Sequence, residues 1–307
     1  MTEIIRIGTR GSPLALAQAH ETRSRLMAAH DLPEDAFEIV VIKTTGDAIL
    51  DRPLGEIGGK GLFTKEIEEQ LLDGSIDLAV HSMKDMPVDQ PEGLILDCYL
   101  PREDVRDAFV SLKYNSIADL PEGAKLGSSS LRRRAQILNR RPDLELVEFR
   151  GNVQTRMRKL EDGVAAATFL AMAGINRLGM DHVVKSAIEV DDILPAVAQG
   201  AIGIERREGD DRIGNMLAAI NHGETTDRLA AERAFLRMLD GSCQTPIAGL
   251  ATLSGDSLTL CGEILRPDGS EVVAGERSGS IADGAAMGED LAKELLEKSG
   301  GDFFTTN

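Results

Sequence analysis

The residues best suited to chemistry in this 307-residue chain are a loop thiol, a loop carboxylate and a set of arginines gathered at helix starts. The thiol is Cys243, in Gly241-Ser242-Cys243-Gln244-Thr245-Pro246. The apolar-periodic stretch 229–239 precedes it and Gly241 stands where a helix C-cap belongs, which puts the thiol in a loop. None of the three cysteines forms a C-x-x-C pair or lies near a histidine at metal-ligand spacing. An odd, sparse count argues against a disulfide framework and for a reducing compartment. A lone cysteine is most often a buried small hydrophobe. Cys98 and Cys261, embedded in strand-like runs, fit that description and Cys243 does not.

The carboxylate is Asp85, in Val80-His81-Ser82-Met83-Lys84-Asp85-Met86-Pro87. This segment follows a strand, at the edge where open α/β sheets place ligands. A Lys-Asp pair in such a loop reads equally well as solvated surface; the functional reading has Asp85 facing a cleft and Lys84 balancing or binding anionic groups. His81 in this setting more often satisfies hydrogen bonds than it catalyses. The arginines begin with Gly127-Ser128-Ser129-Ser130-Leu131-Arg132-Arg133-Arg134, where hydroxyls and free backbone N–H groups meet at a helix N-terminus. That is either an anion cradle or an N-cap followed by a solvated basic face. The repeat at Arg150-Gly151-Asn152-Val153-Gln154-Thr155-Arg156, and a third start at Arg10-Gly11-Ser12, weaken the second reading. The arginine fork suits carboxylates or phosphates. Residues 125–159 hold ten Lys and Arg against three acidic residues, inside a chain of net charge −17. A basic island in an acidic protein implies a specific anionic ligand, and the overall charge argues against nonspecific binding to nucleic acid or a membrane surface.

Strand-like and helix-like patterns alternate, which predicts α/β architecture with a mainly parallel sheet. A strand over 4–7 leads to Ser12 as N-cap, Pro13 at the first helical position and a helix to about residue 29. Strands follow at 37–43, 76–80 and 94–96, with a helix over 65–72 capped by Thr64 and ended by Gly74. A second α/β unit starts near Asp107, with strands at 124–127, 144–149 and 164–170 and helices after the serine run and after Asn152. Strand character returns between 195 and 205, and the tail reads as a small antiparallel α+β domain with strands at 248–253, 257–265 and 271–277 and a last helix over 285–298. The glycine-rich connection from Thr45 to Phe63 lacks P-loop spacing and is expected to be a lid, with Lys60 and Phe63 over the cleft. The N-terminus has no apolar h-region, and the longest apolar run, 164–175, is shorter than the ~20 residues of a membrane span. A soluble, cytoplasmic protein is expected.

Taken together, Arg10-Gly11-Ser12-Pro13-Leu14-Ala15, Gly58-Gly59-Lys60-Gly61-Leu62-Phe63, His81 to Pro87, Arg102-Glu103-Asp104, Arg106-Asp107-Ala108-Phe109, Ser129-Ser130-Leu131-Arg132-Arg133, Arg150-Gly151-Asn152-Val153 and Gly241-Ser242-Cys243 resemble the porphobilinogen deaminase (hydroxymethylbilane synthase) family from end to end. The resemblance implies a transferase of tetrapyrrole synthesis that joins four porphobilinogens head to tail with loss of ammonia. It implies two domains like those of periplasmic binding proteins, 1–101 with 196–220 and an inserted 102–195, plus a small α+β domain at 221–307. Cys243 would carry a covalent dipyrromethane cofactor as a thioether, and Asp85 would hold the pyrrole N–H groups, stabilise the cation formed as ammonia leaves and assist proton transfer while the next pyrrole carbon attacks. Arg10, Ser12, Lys84, Ser129, Arg132, Arg133, Arg150 and Arg156 would bind acetate and propionate side chains. The implied protein is a monomer with a small-molecule substrate, no metal, and no nucleic-acid or membrane partner. Three positions depart from the family pattern: Thr45 where some relatives carry arginine, Ala198 where relatives often carry glycine, and Ala166 within a stretch that often includes aspartate. Two other classes compete, a two-lobed binding protein for polycarboxylates or phosphates and a cysteine hydrolase. The first leaves Cys243 unexplained and the second lacks a histidine partner for it.

Overall fold

The computed structural model describes residues 4–48, 61, 63–239, 245–300 and 303–304, so Lys60 and Cys243 lie outside the described residues. In chain order the strands are β1 Ile5–Arg10, β2 Phe37–Ile42, β3 Leu78–Ser82, β4 Leu94–Tyr99, β5 Asp107–Ser111, β6 Lys125–Gly127, β7 Glu145–Val147, β8 Ala167–Ala171, β9 Ser186–Ile188, β10 Ile202–Arg207, β11 Ile247–Ser254, β12 Ser257–Leu265 and β13 Val272–Ser280. The α-helices are α1 Pro13–His30, α2 Thr45–Ala48, α3 Lys65–Leu72, α4 Leu131–Arg140, α5 Val153–Glu161, α6 Met172–Leu178, α7 Asp211–Ala218, α8 Gly223–Met238 and α9 Gly284–Ser299. No described helix is long and apolar enough to cross a membrane.

Residues up to 103 and 200–226 form one compact unit. Its sheet runs β2-β1-β3-β10-β4, with β1, β2 and β3 parallel and β10 antiparallel to both its neighbours. Four strands therefore share a direction and the returning strand β10 opposes them. Alternation along the strands divides the apolar side chains between two faces. Ile5, Ile7, Leu78, Val80, Ile202 and Ile204 pack with Ala19 and Leu26 of α1. Ile42 and Ala79 pack with Ile67 and Leu71 of α3.

Residues 104–199 and those from 227 on form the second unit. Its five-stranded sheet, β7-β6-β8-β5-β9, repeats the same plan with β5 as the reversed strand. The second sheet is built entirely from chain that lies between β4 and β10, so it is an insertion into the first. The tail sheet, β11-β12-β13, is antiparallel as expected. It is tied to residues 104–199 by Asn139 Nδ2 donating to Gly269 O at 3.0 Å and by Gly249 N–H donating to Pro195 O at 3.1 Å.

The caps expected at Ser12 and Asn152 are present. Ser12 Oγ accepts the Ala15 N–H at 3.2 Å and Asn152 Oδ1 accepts the Thr155 N–H at 2.9 Å, each relieving a helix-end donor. Thr64 differs: it makes no side-chain cap bond, and its carbonyl instead receives the N–H groups of Ile67 and Glu68. The strand expected at 76–80 begins two residues later, with Leu78 opposite Ile7. Helix α6 was not expected because β8 passes into it with no Gly or Pro to mark the junction; Gly179 at φ 61° ends it.

Ala198 is a buried non-glycine residue at φ 60°. Its N–H donates to Glu232 Oε2 at 2.6 Å, and Oε1 of the same fully buried carboxylate accepts the Ala251 N–H at 2.8 Å. The clamp holds alanine in a conformation that costs an L-residue about 1–2 kcal/mol, against the roughly 0.5–1 kcal/mol of chain entropy that alanine saves over glycine. Ala198→Gly is expected to leave the fold unchanged and to stabilise it by about 0.5 kcal/mol in urea unfolding. A loss of more than about 1 kcal/mol would show that the turn is not strained.

Candidate active site

In the first unit, β3 ends at Ser82 and a 3-10 turn, Met83–Asp85, follows. Met83 anchors this turn: its N–H donates to Ala201 O at 3.0 Å and its side chain lies over Gly203, where a Cβ would come within 2.1 Å of Sδ. Only glycine leaves that seat open. Asp85 is thereby held at the strand end, where it lines one pocket with Arg10, Ser12, Phe63, His81 and Ser82. The Arg10 guanidinium stacks over the Phe63 ring at 4.2 Å, a cation–π contact that fixes its direction. Ser12 accepts a backbone N–H as N-cap, so its own hydroxyl hydrogen remains available to donate. Gln18, buried on α1, is hydrogen-bonded to Ser82 Oγ at 2.9 Å and braces the pocket wall. Lys84, half-buried, is the neighbour of Asp85 in the same turn. A carboxylate, a guanidinium and hydroxyl donors around one opening suit a ligand with both cationic and anionic parts.

In the second unit, Asp107 opens β5 and is fully buried. It accepts Arg132 Nη2 at 2.8 Å, Arg133 Nη2 at 2.7 Å, Arg133 Nε at 3.1 Å and Gln199 Nε2 at 2.9 Å. Burial alone would raise the Asp107 carboxyl; the two guanidiniums outweigh it and hold it far below the usual carboxylate range. Arg133 also donates to Phe169 O at 3.1 Å, and Arg156 donates to the same carbonyl at 3.2 Å. Burial, and then the like charge of Arg133, lower Arg156 to about 10. Asp107 thus pairs with two arginines, while Glu263 also acts on Arg132 and Glu148 acts on Arg156. Ser129 Oγ accepts the Phe149 N–H at 3.0 Å, again leaving a hydroxyl to donate. The carbonyl of Arg150 is held by Lys159 Nζ at 3.0 Å. Other members of the basic island serve the fold: Arg134 donates to Ser128 O, and Arg141 pairs with Asp143 and donates to Ile117 O and Leu120 O.

Sequence reading gave Arg132 and Arg133 a ligand role and no role to Asp107. The one sequence signal for Asp107 was its place at the head of the otherwise apolar run Asp107-Ala108-Phe109-Val110. Of the expected site residues, Asp85, Arg10, Ser12 and Phe63 share one pocket, while Arg132, Arg133 and Arg156 share one charge cluster. Cys98 donates to Leu217 O and is pushed up to about 12 by burial. Cys261 donates to Glu276 and is pushed up to about 11, also by burial first. Neither is placed to react as a thiolate. No group of three metal-ligating side chains occurs among the described residues.

Residues 5–215 match the family described as porphobilinogen deaminase, dipyromethane cofactor binding domain, and residues 226–297 match the porphobilinogen deaminase C-terminal domain. A porphobilinogen deaminase of Paracoccus denitrificans (strain Pd 1222) is 72% identical over 300 residues, covering 98% of this chain and 96% of that protein. The chloroplastic porphobilinogen deaminase of Pisum sativum is 57% identical over 311 residues, covering 99% of this chain and 84% of its own. Among solved structures, the periplasmic VFT2 domain of Bordetella pertussis BvgS aligns over 75% of this chain and 92% of its own at 15% identity and TM-score 0.42, a likeness too distant to carry weight.

Removing the buried carboxylate strands two cations in the interior, so Asp107→Asn is expected to cost about 3–5 kcal/mol, read as a fall in melting temperature on the order of 10 °C. Because the folded carboxyl is held low, its contribution is complete above the ordinary carboxylate pKa of about 4 and is lost as pH falls through the lower folded value. The gap between wild type and variant should therefore stay constant from pH 8 to about pH 5 and narrow only in stronger acid. A gap that narrows already near neutrality would contradict the assignment.

Proposed function

The chain belongs to the porphobilinogen deaminase family, and from that premise we infer that it condenses four porphobilinogens head to tail on a covalent dipyrromethane primer and releases hydroxymethylbilane. The observation that carries the mechanism is the placement of Asp85 in one pocket with Arg10, Ser12 and His81. Loss of ammonia from porphobilinogen leaves a cationic methylene-pyrrolenine. Asp85 supplies the opposite charge at that point and accepts the pyrrole N–H, so the cation forms against a fixed carboxylate rather than reorganising water. Arg10 and Ser12, with Lys84 beside Asp85, take the acetate and propionate arms of the incoming unit, and Arg10 is aimed by Phe63.

The second unit offers its own set of carboxylate-binding groups. Arg132, Arg133 and Arg156 are gathered by Asp107 and the Phe169 carbonyl, and Ser129 and Arg150 lie at the same helix starts. Cys243 is the attachment point in this proposal, since Cys98 and Cys261 are each hydrogen-bonded and raised by burial. Cys243 would hold dipyrromethane, which when bound would supply the first free pyrrole α-carbon as nucleophile. Lys60 and Phe63 belong to the lid. The protein acts as a cytoplasmic monomer on a small-molecule substrate, without metal, nucleic acid or membrane.

Asp85→Asn keeps the shape of the side chain and removes its charge. Initial rates of hydroxymethylbilane formation are expected to fall by at least about 10²-fold while the melting curve is preserved. A folded Asp85→Asn enzyme within about tenfold of wild type, a ~1.4 kcal/mol effect, would be too active for this mechanism.

A further inference from the structure

His81 has no duty in the reaction as described, yet its surroundings are costly to build. On the α3 face of the first sheet, His81 of β3, Glu205 of β10 and Glu68 of α3 are 6%, 0% and 9% exposed. Register places them: Gly203 pairs with His81 and Glu205 with Ala79, so the imidazole and the carboxylate share the face of Ala79, which packs on α3. His81 Nε2 and Glu205 Oε2 are 3.0 Å apart. Glu205 Oε1 is buried with no hydrogen-bond partner among the described residues. Burial first, with the like charge of Glu205, pushes the Glu68 carboxyl up. The charged groups facing His81 are thus Glu205 from β10, Glu68 from α3, and Asp85 and Arg10 from the pocket that His81 itself lines. A carboxylate receiving Nε2–H fixes the neutral tautomer and leaves Nδ1 with the lone pair. A core histidine would need only the first of these features. One that is braced by a buried carboxylate and also borders the pocket has the parts of a base and its orienting group.

Resting on the condensation activity above, we propose that His81 is a catalytic base that takes the ring proton released each time a porphobilinogen unit is joined. The methylene carbon of the deaminated incoming unit bonds to the free α-carbon of the unit added before it. That α-carbon then carries both the new bond and its original hydrogen. The C–H bond breaks, its electron pair restores the aromatic pyrrole, and the proton passes to His81 Nδ1. The imidazolium so formed stands beside the Glu205 carboxylate. Ammonia released in the same cycle takes up the proton, so each cycle sheds one ammonium ion. Glu205 is a positioning residue in this scheme.

The test compares holoenzyme turnover of porphobilinogen bearing hydrogen or deuterium at its free α-carbon. His81→Asn should lower kcat by about 10²-fold with KM within about threefold of wild type, and should raise the deuterium effect on kcat, because C–H cleavage has lost its base. Glu205→Gln, which leaves the imidazole in place, should lower kcat less and raise the isotope effect in the same direction. A folded His81→Asn enzyme with the wild-type isotope effect, or with kcat within about threefold of wild type, would overturn the proposal. Nitrogen-15 spectra of histidine-labelled wild type give a reading independent of turnover and of variant folding: neutral His81 should be the Nε2–H tautomer, and an Nδ1–H tautomer would overturn the assignment. Wild type that makes no hydroxymethylbilane would instead count against the activity itself, so the two failures are distinguishable.

Discussion

A fully buried carboxylate with two guanidiniums on it organises the second unit of this protein. Asp107 cannot be desolvated alone; Arg132 and Arg133 make its burial possible, and it in turn makes theirs possible. Gln199 joins the same carboxylate and brings Ala198 with it. Ala198 is held by Glu232, whose other oxygen holds Ala251 of β11. A continuous run of buried hydrogen bonds therefore links β5, α4, α8 and β11. Helix α8 ends at Met238, a few positions before Cys243 in the chain. The element that leads to the thiol is fixed to the same scaffold as the arginines.

This arrangement explains how an acidic chain presents a basic site. Arginines Arg134 and Arg141 spend their donors on nearby carbonyls and on Asp143, and belong to the fold. Arg132, Arg133 and Arg156 gather around Asp107 and the Phe169 carbonyl, with Glu263 acting on Arg132 and Glu148 on Arg156. Because Asp107 and the Phe169 carbonyl hold these groups in place, little reorganisation accompanies binding of an anion. In the first unit the same economy appears in smaller form. Phe63 aims Arg10, Gln18 braces Ser82, and the open seat at Gly203 sets the turn that carries Asp85.

What was legible in the sequence was mostly local. The caps at Ser12 and Asn152, the tail hairpins and the position of Asp85 beyond a strand all follow from residues within a few positions of one another. The reversed strand in each five-stranded sheet was not visible, because direction depends on where the chain re-enters and not on the strand's own pattern. The same limit hid the ion cluster and the imidazole pair. Asp107 meets Arg133 across 26 positions and His81 meets Glu205 across 124, distances over which no periodicity carries information. Ala198 was visible as a departure from a family pattern, but its φ of 60° and its clamp by Glu232 came only with the backbone.

The proposed chemistry depends most on one covalent link, the attachment of the primer to Cys243 and to no other thiol. Intact-protein mass spectrometry of the purified enzyme, followed by peptide mapping, measures it directly. The expected result is a mass increment of two linked pyrrole units, found on the peptide containing Cys243, extended stepwise when limiting porphobilinogen is added, and absent from Cys243→Ser. An unmodified active wild type, an adduct on Cys98 or Cys261, or a Cys243→Ser protein of normal activity would contradict it.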